Sequence, residues 1–94
     1  MNNYLDKFDK TEVLKLLDKE TILALLAIYG IRHRNLAARF NVSRPAISYL
    51  LKQDAFKPYQ REVILNLLLD NGMELVELIL VNKMVNTAKK VKKK

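Results

Sequence analysis

The chain has 94 residues, half of them hydrophobic, a net charge of +7, no cysteine, and only two glycines and two prolines. That length allows one domain with one modest core, burying roughly 60–65% of the unfolded surface. The composition excludes disulfides and thiolate metal sites, no apolar run reaches the ~18 residues of a membrane span, and the polar start MNNYLDKFDK is unlike a secretory signal.

Asp9-Lys10-Thr11-Glu12 has the form of a capping box, and Val13, Leu14, Leu16 and Leu17 give the helix after it an apolar face. Asp18 to Thr21 either interrupts that helix or continues it, so residues 9–29 form one helix or two. Thr21 to Tyr29 is nearly all apolar, which predicts a central core helix, ended by Gly30.

The stretch His33 to Gln53, HRNLAARFNVSRPAISYLLKQ, predicts two short helices joined by a tight turn. In the first, Leu36, Ala37 and Phe40 share one face, with Arg34, Asn35, Ala38 and Arg39 opposite. Ser43 is a good N-cap for the second, and Pro45 falls in its first turn, where a missing N–H costs nothing. There Ile47, Leu50 and Leu51 share the inner face, while Arg44, Pro45, Ser48, Tyr49 and Lys52 lie outward. Asn41 tolerates the left-handed conformation that the reversal needs, and Val42 is expected to point back into the core.

Asp54 to Pro58 reads as a loop anchored by Phe56, and Pro58 opens a helix through Ile64, Leu67 and Leu68 that Asn71-Gly72 closes. A last helix, over residues 73–88, carries more apolar surface than one face needs. Val76, Ile79, Leu80 and Met84 are its candidate homodimer interface; alternatively its far side packs on the N-terminal segment. The end, residues 89–94, is expected to be a basic disordered tail. Charge is uneven along the chain: −1 over residues 1–31, +5 over 32–62, −3 over 63–82 and +6 over 83–94. A polyanion partner explains that pattern; a solvated surface is the plain alternative.

Leu36-Ala37-Ala38-Arg39-Phe40-Asn41-Val42-Ser43, followed by Ile47 and Leu50-Leu51, resembles the helix-turn-helix of the phage lambda repressor and Cro group of regulators. KPYQREVILNLLLDNGMELVELI is similar to the fourth and fifth helices of that fold, so the resemblance covers roughly residues 20 to 80. Two positions depart from it. The family usually has Gly where Asn41 stands, and often Ser or Thr where Arg32 stands at the start of the second helix. The resemblance implies an all-α, lambda-repressor-like five-helix bundle, here as a single domain over residues 1–88 with an extra N-terminal helical segment.

It also implies a regulator that binds double-stranded DNA in the cytoplasm of a bacterial or phage-infected host cell. Arg44 stands at the deep end of the reading helix, and its planar fork matches O6 and N7 of guanine. Pro45 offers contact with a thymine methyl, Ser48 a bond to base or phosphate, and Tyr49 a base edge or the sugar–phosphate chain. The alternative for Tyr49 is packing on the following loop. His33 and Asn35 sit at a helix start, a natural phosphate site, with Ser43 at the next one; Lys52, Gln53 and Lys57 flank the reading helix, with Arg34 near them. Arg39 is a solvated residue or an ion-pair partner. Specificity from so short a helix usually requires a dimer on a two-fold operator. The sequence carries no catalytic triad candidate, phosphate loop or ligand cluster, so no enzyme, cofactor or metal is expected. A second reading keeps the fold but makes the chain an interaction module, such as an antitoxin that neutralises a toxin partner through its last helix.

Overall fold

The computed structural model describes residues 9–92, with side chains through residue 89. The expected domain's first eight residues and the last two of the expected tail lie outside the described residues. Among the described residues six helices follow one another: α1 Lys10–Lys15, α2 Lys19–Ile28, α3 His33–Phe40, α4 Arg44–Gln53, α5 Pro58–Asp70 and α6 Leu75–Lys92. Residues 9–29 therefore form two helices. The break falls at Asp18, which is extended and whose carboxylate accepts from the Thr21 N–H at 2.9 Å. A side chain that satisfies a free helical donor this way starts a new helix rather than continuing the old one.

The helix starts use two devices. Asp9, Asp18 and Ser43 accept from backbone N–H groups of Thr11, Thr21 and Ala46. The starts of α3, α5 and α6 use the reverse half of a capping box. There Asn35 Oδ1, Gln60 Oε1 and Glu77 Oε1 accept from the backbone N–H of Arg32, Lys57 and Glu74, at 3.0, 2.8 and 2.8 Å. A guanidinium has no acceptor, so Arg32 cannot accept from a first-turn N–H as Ser or Thr would, and the Asn35 half of the box is made alone.

The ends of α2, α3, α4 and α5 share one motif. A residue with positive φ follows each helix: Gly30, Asn41, Asp54 and Gly72. The next N–H then reaches back five residues, as in Ile31 N to Leu26 O at 2.8 Å and Val42 N to Ala37 O at 3.0 Å. This is the Schellman closure, which satisfies carbonyls that the helix leaves free. After α2 and α5 the following apolar residue, Ile31 or Met73, is buried. After α3 it is not: Val42 is 45% exposed, contrary to the expectation that it turns into the core. Phe40 and Phe56 fill that end instead, with ring centroids 6.0 Å apart.

The buried apolar residues form one cluster from Val13 to Leu78, drawing on every helix. α6 packs on α2, α3 on α4, α1 on α5, and α5 and α2 back the α3–α4 pair. α6 runs antiparallel to α2. Glu77 near its start accepts the Tyr29 hydroxyl proton at the end of α2, and Lys89 near its other end lies 3.3 Å from Glu20 at the start of α2. Between them Asn82 Nδ2 donates to the Leu16 carbonyl at 2.9 Å and to Thr21 Oγ1 at 3.2 Å. The basic end, expected to be disordered from residue 89, continues α6 through Lys92. Lysine is a good helix former, cations suit a helix C-terminus, and Lys89 has an acidic partner. Among the described residues no helix is long and apolar enough to cross a membrane.

Candidate nucleic-acid interface

α3 and α4 owe their fixed relation to buried residues on their inner faces. Leu36 and Ala37 on α3 and Ile47 and Leu51 on α4 are buried, with Phe40 and Leu50 packed at the edge. The small Ala37 leaves room for close packing of the two helices. The Asn41 turn, in the left-handed region at φ 58 and ψ 45, sets the angle between them.

The outer face of α4 carries Arg44, Pro45, Ser48, Tyr49, Lys52 and Gln53, all exposed. Tyr49 is 62% exposed, which disfavours its packing on the following loop. The Ser43 hydroxyl, expected on a phosphate, is occupied as the cap of α4 at 3.2 Å from the Ala46 N–H. Asn35 is likewise partly occupied: its carbonyl oxygen holds the Arg32 N–H, and its amide NH2 is the part left to donate outward. His33 is half-buried, Arg34 and Lys57 are exposed, and each stands in or beside the first turn of a helix.

Charge divides these cations into two groups. Arg39 pairs with Asp70 at 3.1 Å, and Arg61 with Asp54 at 3.6 Å. Arg32, Arg34, Arg44, Lys52 and Lys57 make no ion pair among the described residues. Helices α1, α2 and α6 carry an acid in the first turn, Glu12, Glu20 and Glu77, as the helix dipole favours. Helices α3, α4 and α5 carry none there and start on Arg32, Arg44 and Lys57. Three successive helix starts thus hold cations where the dipole disfavours them, an arrangement that an anion would relieve.

Three surface residues escaped the sequence reading. Arg32 looked like a faulty cap and is instead a cation beside the α3 N-terminus with no ion-pair partner among the described residues. Val42, expected in the core, and Tyr59 are apolar positions exposed before α4 and in the first turn of α5. A basic N-cap is the signal that was available for Arg32.

Of the candidate dimer residues, Val76, Leu80 and Met84 are 52%, 54% and 69% exposed and recur every four residues. Ile79 does not join them. It is half-buried and lines a small cleft with Val13 of α1 and with Leu16 just after it, so part of the surplus apolar surface faces the N-terminal segment. Beside the stripe, a groove of about 230 Å³ runs between α2 and α6, with Ile28 and Met84 on its rim. Small-molecule sites usually need roughly 300–1,000 Å³, so a ligand pocket is a poor description of it. Among the described residues no cluster of His, Asp or Glu has the form of a metal site. No protein-family model, curated protein or solved structure matches the chain.

Proposed function

We propose that this chain is a sequence-specific double-stranded DNA-binding regulator of the lambda-repressor and Cro type, a small repressor serving a phage, plasmid or other mobile element. The observation that carries this reading is the run of three helix starts, α3, α4 and α5, with cations at Arg32, Arg44 and Lys57 and no acid in the first turn. DNA phosphates supply the missing negative charge, and released counterions drive association. In this reading α4 lies in the major groove, braced from behind by Ile47 and Leu51. Arg44 reads guanine, Ser48 and Tyr49 reach neighbouring bases or sugars, and Pro45 touches a thymine methyl. Arg32, Arg34, the Asn35 amide, Lys52, Gln53 and Lys57 hold the backbone on either side. No bond is made or broken. A two-fold pair of copies reads two half-sites about one helical turn, ~34 Å, apart.

Selection of bound fragments from a random DNA library tests this reading. A two-fold symmetric motif is expected. If no sequence is enriched, DNA reading fails, and the exposed stripe on α6 favours the second reading, an interaction module such as an antitoxin.

A further inference from the structure

The exposed apolar seam of Val76, Leu80 and Met84 has opposite charge at its two ends. Its start carries Glu74 and Glu77, and the chain from Lys83 onward holds six lysines and no acid. A parallel pair of α6 helices would set these lysines beside their own copies, at helix spacings of roughly 8–10 Å, where like charges are poorly screened. An antiparallel pair sets each basic end beside the acidic start of the other copy and opposes the two helix dipoles. We propose that α6 takes a second copy of this chain in an antiparallel, two-fold contact centred on Leu80. Val76 then meets Met84 of the other copy, and Ile28 on α2 extends the seam. The proposal rests on the dimeric part of the functional reading and adds its orientation and register.

This register has a consequence for the nucleic-acid surface. In each copy the start of α6 lies beside Tyr29, next to the Gly30–Arg32 junction where α3 begins. The contact carries the basic end of the other copy's α6 toward that junction. Each copy thereby adds positive charge in trans to the helix start that lacks an acid.

The absence of cysteine makes a disulfide test clean. Helix axes roughly 8–10 Å apart, with Cα atoms ~2.3 Å from each axis, leave seam residues roughly 3.4–5.4 Å apart, which overlaps disulfide reach at the wider spacings. Leu80→Cys, Val76→Cys and Met84→Cys are prepared separately and oxidised with glutathione disulfide, without DNA. All three sites are exposed, so the core is untouched. The expected result is a covalent dimer from Leu80→Cys alone. Val76→Cys and Met84→Cys stay single alone and form a mixed dimer when combined. Self-linking of both outer variants without a mixed product, or no linking at any of the three sites, overturns the proposal. Because the assay contains no DNA, its failure is distinct from failure of the DNA reading, which the library selection judges.

Discussion

Tyr29 and Glu77 hold the end of α2 to the start of α6 by one hydrogen bond, and the bond leaves a mark on both titrations. Donating to the carboxylate, with added burial and the nearby charges of Glu77 and Glu74, pushes the Tyr29 hydroxyl up to about 12. Accepting that proton, and the Glu74 N–H, holds the Glu77 carboxyl below its ordinary value. A raised tyrosine contributes stability that is fully present below about pH 10 and lost as pH rises toward 12. A lowered carboxylate contributes stability present above its ordinary range and lost in acid. Ultraviolet titration should therefore show one tyrosine ionising near pH 12. Tyr29→Phe should remove that step and Glu77→Gln should bring it down; a late step that survives Tyr29→Phe would refute the assignment. At the same scale, Arg44→Ala should cost ~1–3 kcal/mol of discrimination at one base pair. That is roughly 5- to 150-fold in affinity for the selected site, with little change for random DNA. Equal losses on both DNAs would make Arg44 a phosphate contact instead.

At the scale of elements, helix ends explain most of the chain path. Asn82 joins two of them from the middle of α6, because it holds the Leu16 carbonyl just after α1 and the buried Thr21 in the first turn of α2. Asn82→Leu leaves both groups without that partner and should lower stability by about 1–3 kcal/mol in urea unfolding. A change below ~0.5 kcal/mol would mean that solvent replaces the amide. The left-handed turn at Asn41 makes a second forecast. Asn41→Ala should destabilise by ~1 kcal/mol, since a Cβ without a local polar group is strained there, while Asn41→Gly should be tolerated. The basic helix starts make a third. Lys57→Ser replaces a cation facing the dipole with a capping hydroxyl and should raise thermal stability by ~0.5–1 kcal/mol. The same variant should bind DNA more weakly at low salt. A variant both more stable and equally tight would remove Lys57 from the interface.

At the scale of the whole molecule, two basic regions lie at different places on the fold. One is formed by the starts of α3, α4 and α5; the other is the end of α6, beside Glu20 at the far end of α2 from Tyr29. Arg32, just past Tyr29, and Lys89, beside Glu20, stand toward opposite ends of α2, whose ten residues span about 15 Å. The logarithm of DNA affinity should fall linearly with that of salt, by ~0.9 for each phosphate contact. Truncation before Lys89 should flatten that slope if the two-fold pairing brings the second region to the first, and an unchanged slope would confine the DNA surface to α3–α5.

The all-α outcome of the described residues was legible in the sequence because its determinants are local, whereas the split of residues 9–29 into two helices was left open. Two apolar faces at helical spacing, Ser43 and Pro45 at the start of α4, Gly30 and Gly72 at helix ends, and Asn41 in the turn act through the nearest few residues. The outward residues of α4 were legible for the same reason: once Ile47 and Leu51 face inward, Arg44, Ser48, Tyr49 and Lys52 have one direction left. Contacts between distant residues were decided only by the tertiary structure. Asp70 and Asp54 occupy Arg39 and Arg61, while Arg44 has no ion-pair partner among the described residues, a selection made by partners up to 31 residues away. Packing of α6 on α2, with a cleft beside Val13 on its other side, separated Ile79 from Val76, Leu80 and Met84, although all four look alike on a helical repeat. Sequence spacing sets which residues share a face; which neighbour covers that face depends on where the other helices come to rest.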